Sequence, residues 1–290
     1  MLKRDRKWGW VFVTPYILGL LMFFLVPVVS SLYYSFTEYN MISAPEWVGL
    51  KNYIDVFTDP EILEAYRNTF AFVIAYLPLE IFLACVLAVA LNQKMKSIAL
   101  FRGIYFVPVV APMVAVAAIW VMLYNPFGGI FNQFFGLFGM GPFKYVFSDK
   151  WYVVIVSIAV LCIWKGVGSE AIYLLAALQG VSDDIYEAAD IDGAGTVTKF
   201  FKITIPMLSP TIFYLVMVGM IGTFNSFEIF KTMTQEGAEL PVIATYVYSA
   251  AFGTTAKIGR ATAIGWVTFV IVGILTIVQK KAEKRWVYYE

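Results

Sequence analysis

Long apolar runs alternate with short polar segments along the whole chain. A helix that crosses a bilayer needs about 20 mostly apolar residues, and six runs reach or approach that length. They cover 9–35, 69–91, 103–124, 152–178, 207–230 and 261–279. The pattern therefore predicts an all-α, polytopic membrane protein with about six transmembrane helices.

The composition supports this fold class and narrows the range of functions. Of the 290 residues, 60% are hydrophobic and 14% are charged, whereas soluble domains average about 25% charged residues. The formal net charge of +1 gives no indication of nucleic-acid binding. Since no segment between the runs has a repeat or a core pattern of its own, we expect a single membrane domain over 1–290.

Basic residues indicate which ends of the apolar runs face the cytoplasm, because Lys and Arg are in excess in cytoplasmic loops. They gather before the first run and after the second, fourth and sixth. The residues concerned are Lys3, Arg4, Arg6, Lys7, Lys94, Lys96, Arg102, Lys199, Lys202, Lys280, Lys281, Lys284 and Arg285. We therefore expect both termini, and the polar segment 181–206, to face the cytoplasm.

The polar segment 181–206 is predicted to contain a short helix from Asp184 to Asp192. Ser182 can cap its N-terminus, since a serine hydroxyl accepts a hydrogen bond from the first free N–H groups of a helix. Asp183 and Asp184 fill the first turn, where negative charge is favoured. Such an acidic helix between two membrane spans must lie in water.

Two glycines are expected to end this helix, because glycine tolerates the left-handed backbone that a helix stop needs. They are Gly193 and Gly195. One face of the helix carries residues at spacings of three and four, and a partner protein could approach it closely. Its members are Ile185, Ala188, Ala189 and Asp192.

One spacing in this segment resembles the EAA loop of ABC importer permeases. It comprises Glu187-Ala188-Ala189, then Gly193, then Ile203-Thr204-Ile205-Pro206, and it fixes residue types over about twenty positions. The resemblance implies a cytoplasmic coupling helix that docks into an ATP-hydrolysing subunit. The coupling residues that it implies are Glu187, Ala188, Ala189, Asp190, Asp192 and Gly193.

The chain also resembles permeases of the carbohydrate-uptake type over nearly its whole length. Motifs similar to those of the maltose, multiple-sugar and glycerol-phosphate group occur at Gly49–Tyr53, Arg102–Pro108 and Ile163–Trp164. The resemblance implies a permease subunit that forms half of an alternating-access path for a carbohydrate. A glycerol phosphate or another anionic polyol is the alternative solute.

The same resemblance implies a set of partners and a location. The partners are a second homologous permease subunit, two ATP-binding subunits, and an extracellular or periplasmic solute-binding protein. The location is the plasma (inner) membrane of a bacterium or archaeon.

Several kinds of chemistry are excluded by residues that the chain lacks. There is no histidine, so histidine-dependent catalysis and histidine-ligated metals are impossible. Cys85 and Cys162 lie singly in different apolar runs, which gives no support to a disulfide or a metal site. No phosphate-binding loop of the Gly-x4-Gly-Lys-[Ser/Thr] type occurs. We therefore expect no cofactor on this chain, with ATP and Mg²⁺ held by partner subunits.

Four ionisable residues fall inside apolar runs, where they are unfavourable unless they face protein or water. They are Glu80, Lys165, Glu170 and Glu228. Such residues either line a polar path or hold helices together by pairing. The resemblance favours runs four to six as the wall of the path. The candidates for the path are Trp164, Lys165, Glu170, Asn225, Ser226 and Glu228.

Two other functions are weighed against ATP-driven import. An ion-coupled secondary transporter would work without any ATP-binding subunit and would depend sharply on the intramembrane carboxylates. A membrane enzyme would need an acid–base cluster, which the acids of 183–192 could imitate. With no histidine and only Lys199 and Lys202 nearby as bases, no reaction suggests itself, so we do not expect an enzyme.

Overall fold

The computed structural model describes residues 2–93, 98–234 and 240–288. Two of the basic residues used above for orientation, Lys94 and Lys96, lie outside these ranges. The side chains of the other basic residues near the first and third apolar runs are also outside the described part. They are those of Lys3, Arg4, Arg6, Lys7 and Arg102.

The described residues are almost entirely helical, which confirms the predicted all-α class. In chain order the elements are α1 (Leu2–Leu20), a π-helical turn (Leu21–Leu25), α2 (Val26–Ser35), β1 (Thr37–Glu38), β2 (Glu46–Trp47), α3 (Lys51–Thr58), α4 (Pro60–Leu91), α5 (Ile98–Val110), α6 (Met113–Leu123), α7 (Ile130–Gly136), a 3₁₀ turn (Tyr145–Phe147), α8 (Trp151–Leu178), α9 (Asp183–Ile191), α10 (Thr196–Lys199), a second π-helical turn (Phe200–Thr204), α11 (Ile205–Met207), α12 (Ser209–Phe224), α13 (Phe227–Met233), α14 (Ile243–Phe252) and α15 (Ile258–Trp286). The strands β1 and β2 form one antiparallel pair.

Four uninterrupted helical stretches in the described part are long and apolar enough to cross a membrane. They are Trp10–Ser35, α4, α8 and α15. Two further spans are bent, because α5 and α6 meet at 103° and Thr196–Met207 meets α12 at 69°. Counting each bent pair as one span gives six, in agreement with the predicted number.

The bounds of the second and fifth spans differ from the prediction. Helix α4 begins at Pro60 rather than at 69, because Asp59 caps it: its Oδ1 accepts the N–H of Glu61 at 2.8 Å. The fifth predicted span, 207–230, is not one helix. It breaks after Phe224 because the side-chain amide of Asn225 donates to a carbonyl of the preceding turn at 3.0 Å.

Backbone contacts divide the chain into two compact units. The first unit runs to Leu63 and includes Tyr246–Ile271. Its centre is the buried Asn52, whose side-chain amide donates to the carbonyls of Ser35 at 3.0 Å and Thr37 at 2.9 Å. These bonds fix the end of α2 against α3.

The second unit contains Glu64–Thr245 and the chain from Val272 onward. Its core forms around the middle of α8 and includes the edge-to-face pair of Phe72 and Phe230, with ring centroids 4.8 Å apart. The buried Tyr124 donates its hydroxyl to the carbonyl of Ser157 at 2.9 Å. This core positions the cavity described below.

An ion pair at the start of α4 makes the first unit sensitive to acid. Arg260 donates to Asp59 and, at 3.3 Å, to the hydroxyl of Tyr246. Burial alone would raise the pKa of Asp59, but the Glu61 N–H and the Arg260 guanidinium hold that pKa below its usual value. A carboxylate with a depressed pKa stabilises the fold above its unfolded pKa, and that stabilisation disappears as the pH falls through the folded pKa.

Asp59→Asn should therefore lower the free energy of unfolding at pH 7 by about 1 kcal/mol, since asparagine keeps the helix cap and removes only the charge. The melting temperature of the purified protein, compared at pH 7 and pH 3, measures this effect. The wild type should approach the variant at pH 3, while Glu46→Gln, at an exposed position, should resemble the wild type at both. An equal difference between Asp59→Asn and wild type at both pH values would contradict the role of the charge.

Candidate functional site

The predicted acidic helix is present as α9, and its N-terminus is capped as expected. The hydroxyl of Ser182 accepts the N–H of Asp184 at 3.3 Å, and Asp183 and Asp184 occupy the first turn. The helix runs from Asp183 to Ile191, which is one residue earlier at each end than predicted.

The helix ends in a Schellman motif. Gly193 has a φ of +73°, and its N–H donates to the carbonyl of Asp190 at 3.0 Å. The next N–H, of Ala194, donates to the carbonyl of Ala189 at 2.9 Å. Gly193 thus supplies the left-handed residue that this stop requires. The same expectation for Gly195 is wrong, because its φ of −68° is open to any residue and it precedes α10 instead.

The structure exposes a different face of α9 from the one predicted. Ala189 is buried and Ile185 is half-buried, so the predicted face is not available as a unit. The exposed side chains at helical spacing include Asp184, Glu187, Ala188 and Ile191. Ile191 is 88% exposed, and sequence reasoning missed it although an isoleucine among acids was a usable signal. The exposed face therefore combines acids with one large apolar side chain.

Two side-chain contacts brace the segment that carries α9. The hydroxyls of Tyr186 and Thr204 lie 3.0 Å apart. Lys199 pairs with Asp190, with 2.6 Å between Nζ and Oδ1, and the lysine side chain is only 22% exposed. These contacts join the first and last turns of α9 to the chain that follows it, 196–204, called the returning chain below. We call the segment 183–204 the hairpin, and the two contacts hold it together as one body.

The hairpin also packs against α4. A groove of about 460 Å³ lies between Phe82, Val86 and Val89 on α4 and the chain around Phe200. The rings of Phe82 and Phe200 meet edge to face, with centroids 6.3 Å apart. Helix α9 is therefore joined, through the chain around Phe200, to the membrane-spanning helix α4.

Lys199→Ala should uncouple α9 from the returning chain, because it removes the partner of Asp190. We expect the free energy of unfolding, measured by thermal melting of the purified protein, to fall by about 1 kcal/mol, which is the contribution of one charge-assisted hydrogen bond. Lys202→Ala is the matched control, because that lysine is exposed. Equal melting temperatures in the two variants would show that the contact between Lys199 and Asp190 does not hold α9 in place.

A cavity of about 500 Å³ lies within the second unit between α4, α8, α12 and the bend between α5 and α6. The size suits a small-molecule ligand. Three of the six predicted path residues line this cavity: Lys165, Glu170 and Ser226. The other three do not, since Asn225 and Glu228 are exposed outside the lining and Trp164 packs on Trp120 with ring centroids 5.6 Å apart.

Lys165 is committed to the backbone at the bend. Its ammonium group donates to the carbonyls of Pro108 at 3.0 Å, Val109 at 3.0 Å and Ala111 at 2.8 Å. The last carbonyls of a helix have no partner within the helix and carry its negative dipole end. Lys165 therefore caps α5 from the neighbouring helix α8.

Each of the two acids near the cavity has one carboxyl oxygen without a partner among the described residues. Glu170 Oε2 and Glu80 Oε1 are buried without a hydrogen bond. Glu80 is 3% exposed and lies against Gly166 of α8, where any side chain would collide with its carboxyl group. Tyr173 and Tyr214 also line the cavity, and no pattern in the sequence distinguishes them from the other tyrosines among the eighteen.

No group of three His, Cys, Asp or Glu residues within the described ranges is placed to hold a metal ion.

The comparison with known protein families decides which class of protein this is. The family of binding-protein-dependent transport system inner membrane components matches residues 80–288. The chain belongs to that family. It is thus a multi-pass membrane permease, a transport component rather than an enzyme.

Curated relatives of this permease are similar over more than nine-tenths of their length. A probable ABC transporter permease protein of Bacillus subtilis, YesP, is 33% identical, over 100% of this chain and 94% of that protein. The lactose transport system permease protein LacF of Rhizobium radiobacter is 31% identical, over 93% of this chain and 92% of that protein. These sequence matches show that the chain is an ABC transporter permease.

Solved structures agree on the fold. A bacterial ABC transporter involved in the import of the acidic polysaccharide alginate matches with a TM-score of 0.83 over 98% of both chains, at 24% identity. The alginate transporter in complex with an alginate pentasaccharide-bound periplasmic protein gives the same TM-score at 22% identity. At these sequence identities the two matches establish only the fold of the permease.

Proposed function

We propose that this permease is one of two subunits that form an alternating-access path for a carbohydrate. ATP binding on two partner subunits drives the cycle, and an extracytoplasmic solute-binding protein delivers the solute. The observation that carries the proposal is the braced hairpin, which exposes acids and Ile191 on α9 and packs against α4 through the chain around Phe200. The sugar-permease relatives and the alginate complex with its periplasmic protein support the carbohydrate and the delivering protein.

The proposal includes an orientation and a mechanism. Six spans with basic residues at their polar ends favour both termini and α9 in the cytoplasm of a bacterial or archaeal plasma membrane. The coupling residues are Glu187, Ala188, Ala189, Asp190, Asp192 and Gly193, and the whole chain acts as one transmembrane domain. When the ATP-binding subunits close, they displace α9, and the braces carry that displacement to the spans as a rigid-body switch.

The test is mass spectrometry of the proteins that co-purify with the tagged permease from its native membrane in mild detergent. A phosphate-loop ATPase and a second permease with the Glu-Ala-Ala spacing are expected. Recovery of an intact permease alone, active in transport without an ATPase, would overturn the proposal in favour of an ion-coupled secondary transporter. Glu80 and Glu170 would then be the first residues to replace.

A further inference from the structure

Three hydroxyl groups in the lining of the central cavity are left able only to accept hydrogen bonds. Ser169, Thr223 and Ser226 each donate their hydroxyl hydrogen to a carbonyl three or four residues earlier in their own segment, at 2.7, 2.7 and 3.3 Å. A hydroxyl has one hydrogen to donate. Once that hydrogen is used, the oxygen offers the cavity lone pairs only.

The cation of the cavity is equally committed. Lys165 is the one basic residue among the described residues that line it. An ammonium group has three hydrogens, and all three are directed at the carbonyls of Pro108, Val109 and Ala111. A solute that needs a cationic partner would have to displace a backbone contact to obtain one.

Glu170 adds an acid with unsatisfied capacity to the same lining. Its Oε2 has no hydrogen-bond partner in the part of the chain that the structure describes. An ionised carboxyl group repels an anion, and a protonated one still contributes no positive charge. The hydroxyls and rings of Tyr173 and Tyr214 complete the wall and are neutral in either role.

We propose that this cavity accepts uncharged, hydroxyl-rich solutes and discriminates against anionic ones such as uronides and phosphates. The inference rests on the proposed function, because it names the charge class of the solute that the path carries. A neutral sugar supplies the donors that the acceptor-rich wall requires and its C–H faces can lie on the tyrosine rings. An anion brings further acceptors, and the one ammonium group in the lining has no hydrogen left to donate to it.

The cavity can be tested without knowing the solute, by charged reagents directed at a single cysteine. The two native cysteines, Cys85 and Cys162, are both free and are replaced by alanine. Ser226→Cys and, separately, Ser169→Cys then place one thiol in the lining. The complex purified with its partner subunits is treated with methanethiosulfonates that carry a trimethylammonium, a hydroxyethyl or a sulfonate group, and the modification rates are followed by mass spectrometry.

Each rate is divided by the rate of the same reagent with a small thiol in solution, which removes the intrinsic difference between reagents. The ratio between two reagents at one cysteine also removes the reactivity of that thiol. We expect the trimethylammonium reagent to react about tenfold faster than the sulfonate, with the hydroxyethyl reagent between them. Glu170→Gln should reduce the ratio and Glu170→Lys should invert it.

The possible outcomes separate this inference from the proposed function. If the sulfonate reacts as fast as the trimethylammonium reagent or faster at both cysteines, the cavity does not exclude anions and the inference fails while the path stands. If none of the three reagents reaches either cysteine in a complex that still hydrolyses ATP, the cavity is not part of a water-filled path. The proposed path then fails, and the inference fails with it.

Discussion

Glu187→Lys is expected to abolish solute-stimulated ATP hydrolysis by the assembled transporter and to leave the amount of permease in the membrane unchanged. Glu187 is exposed on α9, so its replacement disturbs no packing, and exposed substitutions usually change stability by about 0.5 kcal/mol or less. At a docked surface, the reversed charge leaves its partner unpaired, at a cost of about 2–5 kcal/mol. Association with the ATP-binding subunit should therefore weaken by roughly 30-fold or more.

The measurement is hydrolysis by complexes reconstituted with the solute-binding protein, together with the yield of ATPase that co-purifies. Asp149→Lys is the matched control, because its side chain is 88% exposed and lies in the connection between α7 and α8, which the proposed orientation puts on the opposite side of the membrane. That variant should stay within about twofold of wild type. Normal coupled hydrolysis and uptake in Glu187→Lys would remove α9 from the mechanism.

The expected result depends on features of α9 that were predictable because they are local. Ser182 and Gly193 act on N–H and carbonyl groups within a few residues of themselves, so residue type and spacing are enough to place the ends of the helix within one residue. The six apolar runs were predictable for the same reason, since the length and composition of a run decide whether it can span a bilayer.

The outward direction of α9 was not predictable from spacing. Whether Ala189 or Ile191 faces the rest of the chain depends on where the returning chain and α4 lie, and the braces at Tyr186 and Asp190 decide this. Those contacts join residues that are 18 and 9 positions apart. The spacing of four residues on a helix does not specify which segment of the chain packs against them.

The bends in the third and fifth spans were also missed. Hydropathy shows a continuous run across Pro112 and starts the fifth run at 207, beside the bend at Leu208, because a bend changes the backbone direction and leaves composition untouched. Proline is tolerated inside membrane helices when other groups satisfy the freed carbonyls, so Pro108 and Pro112 alone did not predict a 103° turn. The group that satisfies those carbonyls comes from another helix.

That group is Lys165, and Lys165→Met is expected to destabilise the permease substantially. Its three acceptors are 57, 56 and 54 residues away in the sequence. Methionine matches the length of lysine and fills its space but donates nothing, so the carbonyls of Val109 and Ala111 lose the lysine donor and that of Pro108 keeps only the N–H of Ala111 at 3.3 Å. Each unsatisfied buried group costs about 1–3 kcal/mol, and we expect a total loss of about 3 kcal/mol, or a melting temperature lower by roughly 5 °C.

The comparison that decides the role of Lys165 is between stability and solute affinity. Lys165→Arg keeps donors at the bend and should recover part of the lost stability, while Lys231→Met, at an exposed position on α13, should melt like the wild type. If Lys165 instead held the solute, Lys165→Met would melt normally and raise the solute concentration needed for half-maximal uptake. The three contacts to carbonyls leave the lysine no hydrogen for a solute, so Lys165→Met should lower the melting temperature first. Any loss of transport should follow from the disturbed bend between α5 and α6.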